Sequence, residues 1–294
     1  MQPLIVGIGE ALWDLLDNEK VLGGAPANFA YHAAAQGGNG TVVSAVGSDD
    51  YGSEIISELA NKGISTDYIS VCEDYPTGTV SVTLDDGKPS YCIYAPVAWD
   101  YIKWKPELQK LAAQASCICF GSLAQRNAVS ADTIQRFVAA ANSNCLKIFD
   151  INLRQNFFNC RIIEQSLIAA GILKISDEEF PVIRDIYSLS TNEPKAITQL
   201  IEQFNLQAVL LSCGANGSRY YSAFESFAVP AIDYGPKIDT VGCGDAFTAA
   251  FAVALITGKN PHAAMEHASR VAGLVCASRG ATPPIPEDYC LQKQ

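Results

Sequence analysis

The sequence has no C-x-x-C pair, no stripe of basic residues and no apolar run long enough to cross a bilayer. Each absence removes a class of function. The formal charge is −11 and Lys and Arg are scattered, so a phosphodiester backbone finds no footprint and no nucleic-acid partner is expected. Ten cysteines are present, several inside apolar runs such as "CICF" and "GLVCAS". They read as reduced, buried thiols rather than as a disulfide framework or a zinc site. The longest apolar stretch, near Ala246 to Ile256, is short of a membrane span. The opening "MQPLIVGIGEALWDLLDNEK" lacks the basic n-region of a signal peptide. The expectation is a soluble, cytoplasmic protein with no membrane partner.

Familiar enzyme signatures are missing too. "VGIGEALWD" begins like a dinucleotide fingerprint, but Leu12 stands where the third glycine is required, which disfavours hydride transfer. Lys88 and Lys259 each follow a glycine, yet Pro89 and Asn260 come next, so there is no P-loop. The protein-kinase catalytic loop is absent. The three histidines, His32, His262 and His267, lie in helix-like stretches and read as surface or satisfied core residues, leaving no Ser-His-Asp arrangement.

What the chain does have is alternation. The apolar runs "LIVGIG", "TVVSAVGSD", "SCICFGS", "LKIFDIN" and "AVLLSCG" read as strands. Helix-like segments lie between them, including "GGAPANFAYHAAAQGG", "DYGSEIISELANKG" and "NPHAAMEHASRVAGLVCA" with Pro261 at its start. This is the pattern of an α/β fold with a mostly parallel sheet covered by helices, which binds ligands at the carboxyl ends of its strands. One region departs from it. "TGTVSVTLDDGKPSYCIYA", Thr77 to Ala95, alternates with period two around Asp-Gly and reads as a hairpin beside the main sheet, serving as a lid or a dimer contact.

Polar residues gather at the predicted strand ends: Asp14, then Gly23, Gly24 and Asn28, then Asp150, Asn152 and Arg154, then Glu178 and Glu179, then Ser212, Gly214 and Gly217. Near the end stands "DTVGCGDAFTAAFAVAL". Asp245 follows two glycines at the mouth of an apolar helix. Helix capping accounts for that placement. So does an anion cradle of backbone amides with a carboxylate base beside it.

"DTVGCGDAF" resembles the C-terminal signature, and "GGAPANFAYHAAAQGG" the N-terminal glycine signature, of the PfkB (ribokinase-like) carbohydrate kinases. Order and spacing agree from Ile5 to about Pro284, and "GEALWD", "PTGTVSV", "AWD" and "FGSLAQR" are most similar to bacterial fructokinases. The resemblance implies a single ribokinase-like domain over residues 1–294, with a small β lid from about 10–23 and 75–98. It implies ATP-dependent phosphorylation of a sugar hydroxymethyl group, foremost D-fructose to fructose 6-phosphate. A ribokinase, nucleoside kinase or keto-deoxy-sugar acid kinase, or a non-catalytic sugar-binding regulator, are the alternatives.

Residue by residue, the resemblance makes Asp245 the base and the amides of Gly242, Cys243 and Gly244 the anion hole. Arg154 would reach the ATP phosphates with support from Asn152. Asp14, Gly23, Gly24 and Asn28 would hold the sugar, and Ser212, Gly214 and Gly217 would form the turn under the nucleotide. Glu179 would serve Mg²⁺, and Asp239 a monovalent cation such as K⁺. "SDEE" puts Ser176 where the family has Asn, and Cys243 stands where Ala is common. A thiol at a helix N-terminus is expected to be reactive, so alkylation of Cys243 is expected to inactivate. The lid makes a homodimer conceivable.

Overall fold

The computed structural model describes residues 2–16, 19–85, 88–236 and 238–291. In chain order, β1 (Leu4–Ile8), β2 (Leu12–Leu16), β3 (Glu19–Gly23), α1 (Ala25–Ala35) and β4 (Asn39–Gly47) lead into α2 (Asp50–Asn61) and β5 (Ser65–Cys72). Then come β6 (Gly78–Asp85), β7 (Lys88–Ile93), α3 (Pro106–Gln114), β8 (Cys117–Phe120), α4 (Ala128–Ala140) and β9 (Leu146–Asp150). Next are α5 (Cys160–Ala169), β10 (Ile172–Ser176), α6 (Phe180–Ile186), α7 (Glu193–Phe204) and β11 (Ala208–Ser212). The chain closes with β12 (Ser218–Ser222), β13 (Ser226–Val229), α8 (Cys243–Ile256) and α9 (Pro261–Cys276).

The main sheet has the order β13-β12-β11-β10-β9-β8-β1-β4-β5. It is parallel from β11 to β5, and its far edge is the antiparallel pair β12 and β13. Period-two alternation splits each strand between two cores. Val6, Ile8, Phe149, Leu173 and Ile175 face the layer of α3 to α7. Ile5, Ile148, Ile172 and Leu210 face α8 and α9. By the same parity Asp150, Lys174 and Ser212 face α8. That helix is apolar all round because α1, α9 and the sheet enclose it.

A second sheet of order β3-β2-β6-β7 stands beside the first. β6 and β7 form an antiparallel hairpin with Asp85 opposite Lys88, and the Asp-Gly turn read from the sequence lies outside the described residues. β2 pairs parallel to β6 and antiparallel to β3. Trp13 and Leu22 root the sheet in the apolar contacts of α1 and α2. The end of β7 is tied down by Arg126, which donates to the Tyr94 carbonyl at 2.7 Å and to both oxygens of Asp100 at 2.7 and 2.9 Å. Its guanidinium lies over Trp99 and Phe157.

His32 is a core residue and His267 is half-buried, but the core one is not fully satisfied, because the buried Nδ1 of His32 has no partner among the described residues. His32 bonds the Ala281 carbonyl at 2.8 Å and His267 the Gln36 side chain at 2.7 Å, while His262 is exposed. Among the described residues no helix is long and apolar enough to cross a membrane.

Candidate active site

Two helix N-termini meet at the carboxyl edge of the parallel strands. α8 begins after Gly242, whose φ of 77° is left-handed and where a Cβ would lie 2.5 Å from the Ala281 carbonyl oxygen. Only glycine fits that position. The turn aims the first amides of α8 outward, and Asp245, half-buried, sits one turn in. α1 begins after Gly24, and its Asn28 donates from Nδ2 to Asp245 Oδ2 at 2.8 Å across 217 residues of sequence. Capping alone does not describe Asp245, because its carboxylate is bonded to a second helix.

The strand ends supply the rest. Asp150 ends β9, and Lys174 of β10 pairs with its Oδ1 at 3.1 Å. Thr248 bonds Asp150 at 3.2 Å and the Gly244 carbonyl at 2.9 Å. A Cβ on Gly244 would stand 3.0 Å from Lys174 Nζ, so the ammonium lies directly against the α8 N-terminal turn. Burial works against the charge of Lys174, but Asp150, Glu179 and Asp245 outweigh it and raise its pKa. Burial, followed by repulsion from Asp150, pushes Asp245 up to about 6, against the Asn28 bond and the cations Lys174 and Arg154. Burial likewise pushes Asp14 up to about 6, with Arg154 opposing and Asp239 adding to the rise. A Cβ on Gly23 would lie 2.4 Å from an Asp14 oxygen, which leaves that carboxylate packed along the glycine's backbone.

The structure therefore brings Asp14, Gly23, Gly24, Asn28, Arg154, Asp239 and the Gly242–Asp245 turn into one neighbourhood. Arg154 is exposed, and Asn152 takes a positive φ of 42° before it. Ser212, Gly214 and Gly217 form a tight turn at the end of β11, with Gly217 donating to the Gly214 carbonyl and Cys213 to that of Gly217. Ser212 also lies in the ladder between β10 and β12, and its hydroxyl donates to the Ile175 carbonyl at 3.4 Å.

Glu179 and Asp239 are committed to the backbone. Glu179 accepts from the amides of Leu153 and Ser176 and from the Ser176 hydroxyl, all between 2.8 and 2.9 Å. Ser176 thus fixes the glutamate in the place where the family pattern has Asn. Asp239 accepts from Val241 at 3.0 Å and Gly280 at 3.2 Å. Among the described residues no group of three or more His, Cys, Asp or Glu is arranged to hold a metal.

Lys174 and Glu10 were not singled out from the sequence. The signal for Lys174 was present: a lysine inside the strand "GILKIS" on the same parity as Ile172. Glu10 lies in "GIGEAL", directly after β1, and is 2% exposed.

The cysteine expectation needs correction. Cys243 and Cys276 are disulfide-bonded, with Cα atoms 5.8 Å apart. They are the first residue of α8 and the last of α9, and the turn between these helices folds them into a hairpin that brings the ends together. Sequence separation concealed the pair. Cys92 and Cys160 are exposed rather than buried. The expected reactivity of Cys243 changes accordingly. Alkylation without reductant should modify Cys92 and Cys160 and spare activity; after reduction with a dithiol it should reach Cys243 and inactivate. Peptide mass mapping against residual activity checks this, and inactivation that tracks Cys243 labelling before reduction would refute it.

Comparison with known proteins gives a consistent result. The model described as pfkB family carbohydrate kinase matches residues 10–288. A sugar kinase of Pyrococcus horikoshii is 28% identical over 308 residues, covering 98% of this chain and 95% of that one. Its crystal structure in complex with ATP superposes with a TM-score of 0.76, covering 95% and 94%. Ribokinase of Bacillus subtilis is 29% identical over 269 residues, 91% of this chain and 85% of the relative. Fructokinase of Xylella fastidiosa with bound ATP shares the fold at a TM-score of 0.87, with 23% identity and coverage of 97% and 96%.

Proposed function

The chain belongs to the pfkB family of carbohydrate kinases, and from that premise we propose that it transfers the γ-phosphoryl group of ATP to the hydroxymethyl hydroxyl of a monosaccharide, D-fructose before others. The observation that carries this reading is the placement of Asp245. One carboxylate stands at the first turn of α8, beside its free amides, and is bonded to the helix that begins at the glycine pair.

Phosphoryl transfer asks little covalent chemistry of a protein and depends on positioning and charge. Asp14, Asn28 and the backbone at Gly23 and Gly24 would orient the sugar through its hydroxyls. Asp245 would accept the hydroxyl proton, a task suited to a carboxylate whose pKa is raised toward neutrality. The amides of Gly242, Cys243 and Gly244, with the positive end of α8, would meet the oxygens of the group in transfer. Lys174 lies against that turn and would add a full charge to it. Arg154 would engage the phosphate chain, with Asn152 shaping its loop. The turn at Ser212, Gly214 and Gly217 would lie beneath the nucleotide. The sheet of β2, β3, β6 and β7 would cover the site and exclude water, which protects ATP from hydrolysis.

Magnesium would arrive with the triphosphate and neutralise its charge. The donor set agrees with an ion held mainly by phosphate and water, with Glu179 bonded to the amides of Leu153 and Ser176 and no protein cage among the described residues. Asp239, which joins the turn before α8 to the one after α9 through the amides of Val241 and Gly280, would bound a monovalent-cation site.

Ribose is the second acceptor to consider, because the relative of 29% identity is a ribokinase. ADP release from Mg-ATP over fructose, ribose, nucleosides and keto-deoxy-sugar acids tests the proposal. The highest kcat/KM on fructose supports it. A higher value on another sugar keeps the reaction and replaces the substrate. Sugar binding without ADP release would overturn the reading in favour of a regulator.

A further inference from the structure

The first turn of α2 has no part in the phosphoryl-transfer scheme, yet strands of the small sheet are fastened to it. Asp49, its N-cap, accepts at Oδ1 from the Gly52 amide at 2.9 Å, which is ordinary capping. The same carboxylate also takes both donors of Thr77, the residue before β6: the amide at 2.8 Å on Oδ2 and the hydroxyl at 2.5 Å on Oδ1. The Thr77 hydroxyl in turn accepts from the amide of Gly47, the last residue of β4, at 2.9 Å. Thr77 is buried, so its bonds form away from water. The joint leaves no room for side chains. A Cβ on Gly52 would lie 2.2 Å from the Gly47 carbonyl oxygen, and one on Gly47 would lie 2.6 Å from Asp49 Oδ2.

β2 is held by the same turn. Trp13 Nε1 donates to the carbonyl of Tyr51, the second residue of α2, at 3.1 Å. From β3, Lys20 pairs with Glu54 of α2, and its ammonium lies 4.9 and 4.8 Å from the ring centres of Trp13 and Tyr51. Asp14 follows Trp13 directly and stands opposite Val80 of β6 in the parallel ladder. The residue assigned to the sugar is therefore carried by two paired strands, each tied to α2 a few residues away.

We propose that Asp49 and Thr77 are positioning residues for sugar binding: by gripping β6 where it leaves the main body, they hold β2 and its Asp14 in register with the site. The inference rests on the kinase reading given above, in which the small sheet is the lid. Helix capping does not require this arrangement. One oxygen on the Gly52 amide completes a cap, whereas the Thr77 bonds cross 28 residues and join the end of β4 in the main sheet to the start of β6 in the small one. A joint whose polar groups are mutually satisfied is stiff, and the strand that leaves it inherits a fixed direction.

Asp49→Asn separates the grip from the cap. Asparagine caps a helix as well as aspartate does, but its amide group would meet Thr77 donor against donor. Thr77→Val removes the hydroxyl at nearly constant shape, and Thr77→Ser keeps it. With the preferred sugar of the panel above, Asp49→Asn and Thr77→Val should each raise the sugar KM about tenfold and leave the KM for ATP unchanged, since Asp14 serves the sugar. Both should form more ADP than sugar phosphate, because a loosened lid admits water. Thr77→Ser should restore both readouts. Lower melting temperatures with the wild-type sugar KM and equal amounts of ADP and sugar phosphate would make the joint merely structural and overturn the proposal; so would a Thr77→Ser variant as impaired as Thr77→Val. If the wild type phosphorylates no sugar, the kinase reading falls instead, and amide hydrogen exchange decides the joint by itself. Faster exchange in β2 and β6 of Asp49→Asn, with α2 and β4 as in the wild type, supports it; no acceleration, or an equal one throughout the chain, rejects it.

Discussion

Asp245→Asn is expected to lose about 10²–10⁴-fold in kcat, the usual worth of a positioned general base, with little change in KM for ATP. Stability should move the other way. The folded-state pKa of Asp245 lies above its ordinary value, raised from 3.8 to about 6. For a carboxyl shifted in that direction, the ionised form is the unfavourable one in the fold, and the cost is present above the folded pKa. Near pH 8 the wild type bears it in full, on the order of 1–3 kcal/mol. Asparagine removes the charge, still accepts from Asn28 and ends the repulsion with Asp150. The variant should therefore be dead and at least as stable as the wild type at pH 8, with the stability difference shrinking as pH falls through about 6 and vanishing only below the unfolded value of 3.8. Thermal melts at both pH values, beside single-turnover kinetics, check the pair of outcomes. A variant that is inactive because it is unfolded would lose both together, and one that keeps its kcat would remove Asp245 from the chemistry.

The opposite signs arise because the residue's environment is arranged for reaction rather than for folding, and such places are the ones least visible in a sequence. Strands such as "LKIFD" and "AVLLS" and the helix after Asn260 could be read directly, because burial on two faces and capping chemistry are local properties. So could the glycines before Asp245, since close backbone approach leaves a mark on the residue type itself. Asp150 was visible as a strand-end carboxylate, but its partner Lys174 belongs to the next strand and is opposed to it only through sheet register. Glu10 stands just after β1, and its burial comes from elements packed around it that no local pattern names. The Cys243–Cys276 bond joins the far ends of two helices. The antiparallel edge of β12 and β13 escaped because its short polar strands, such as "SRYYS", carry neither the apolar run nor the turn residues that mark a strand. In each case the missing knowledge is which elements are neighbours, and that is a property of the packed sheet.

Lys174→Met is the second substitution with a large expected effect, and its design turns on the buried partner. Lys174 is 8% exposed and Asp150 4%. Removing one member of such a pair leaves the other charge buried and uncompensated, which costs about 3–5 kcal/mol of stability. A fall in activity alone would thus be ambiguous. The double variant Lys174→Met with Asp150→Asn resolves it, because both charges leave together and stability should return most of the way. If Lys174 serves only to neutralise Asp150, activity returns with stability. If the ammonium meets the transferring phosphoryl group, kcat stays about 10²–10³-fold low in the double variant, since loss of a preorganised donor at a developing charge is not repaired by neutralising its neighbour. The second outcome is expected, because Nζ stands against Gly244 at the turn whose amides face the site and not only against Asp150. Lys174→Arg sharpens the test. It keeps the charge but exceeds the space that Gly244 leaves, so the ion pair can survive while the contact with the group in transfer is displaced. A fully active double variant would return Lys174 to a structural role and leave the α8 amides as the main stabilisers of the transferring charge.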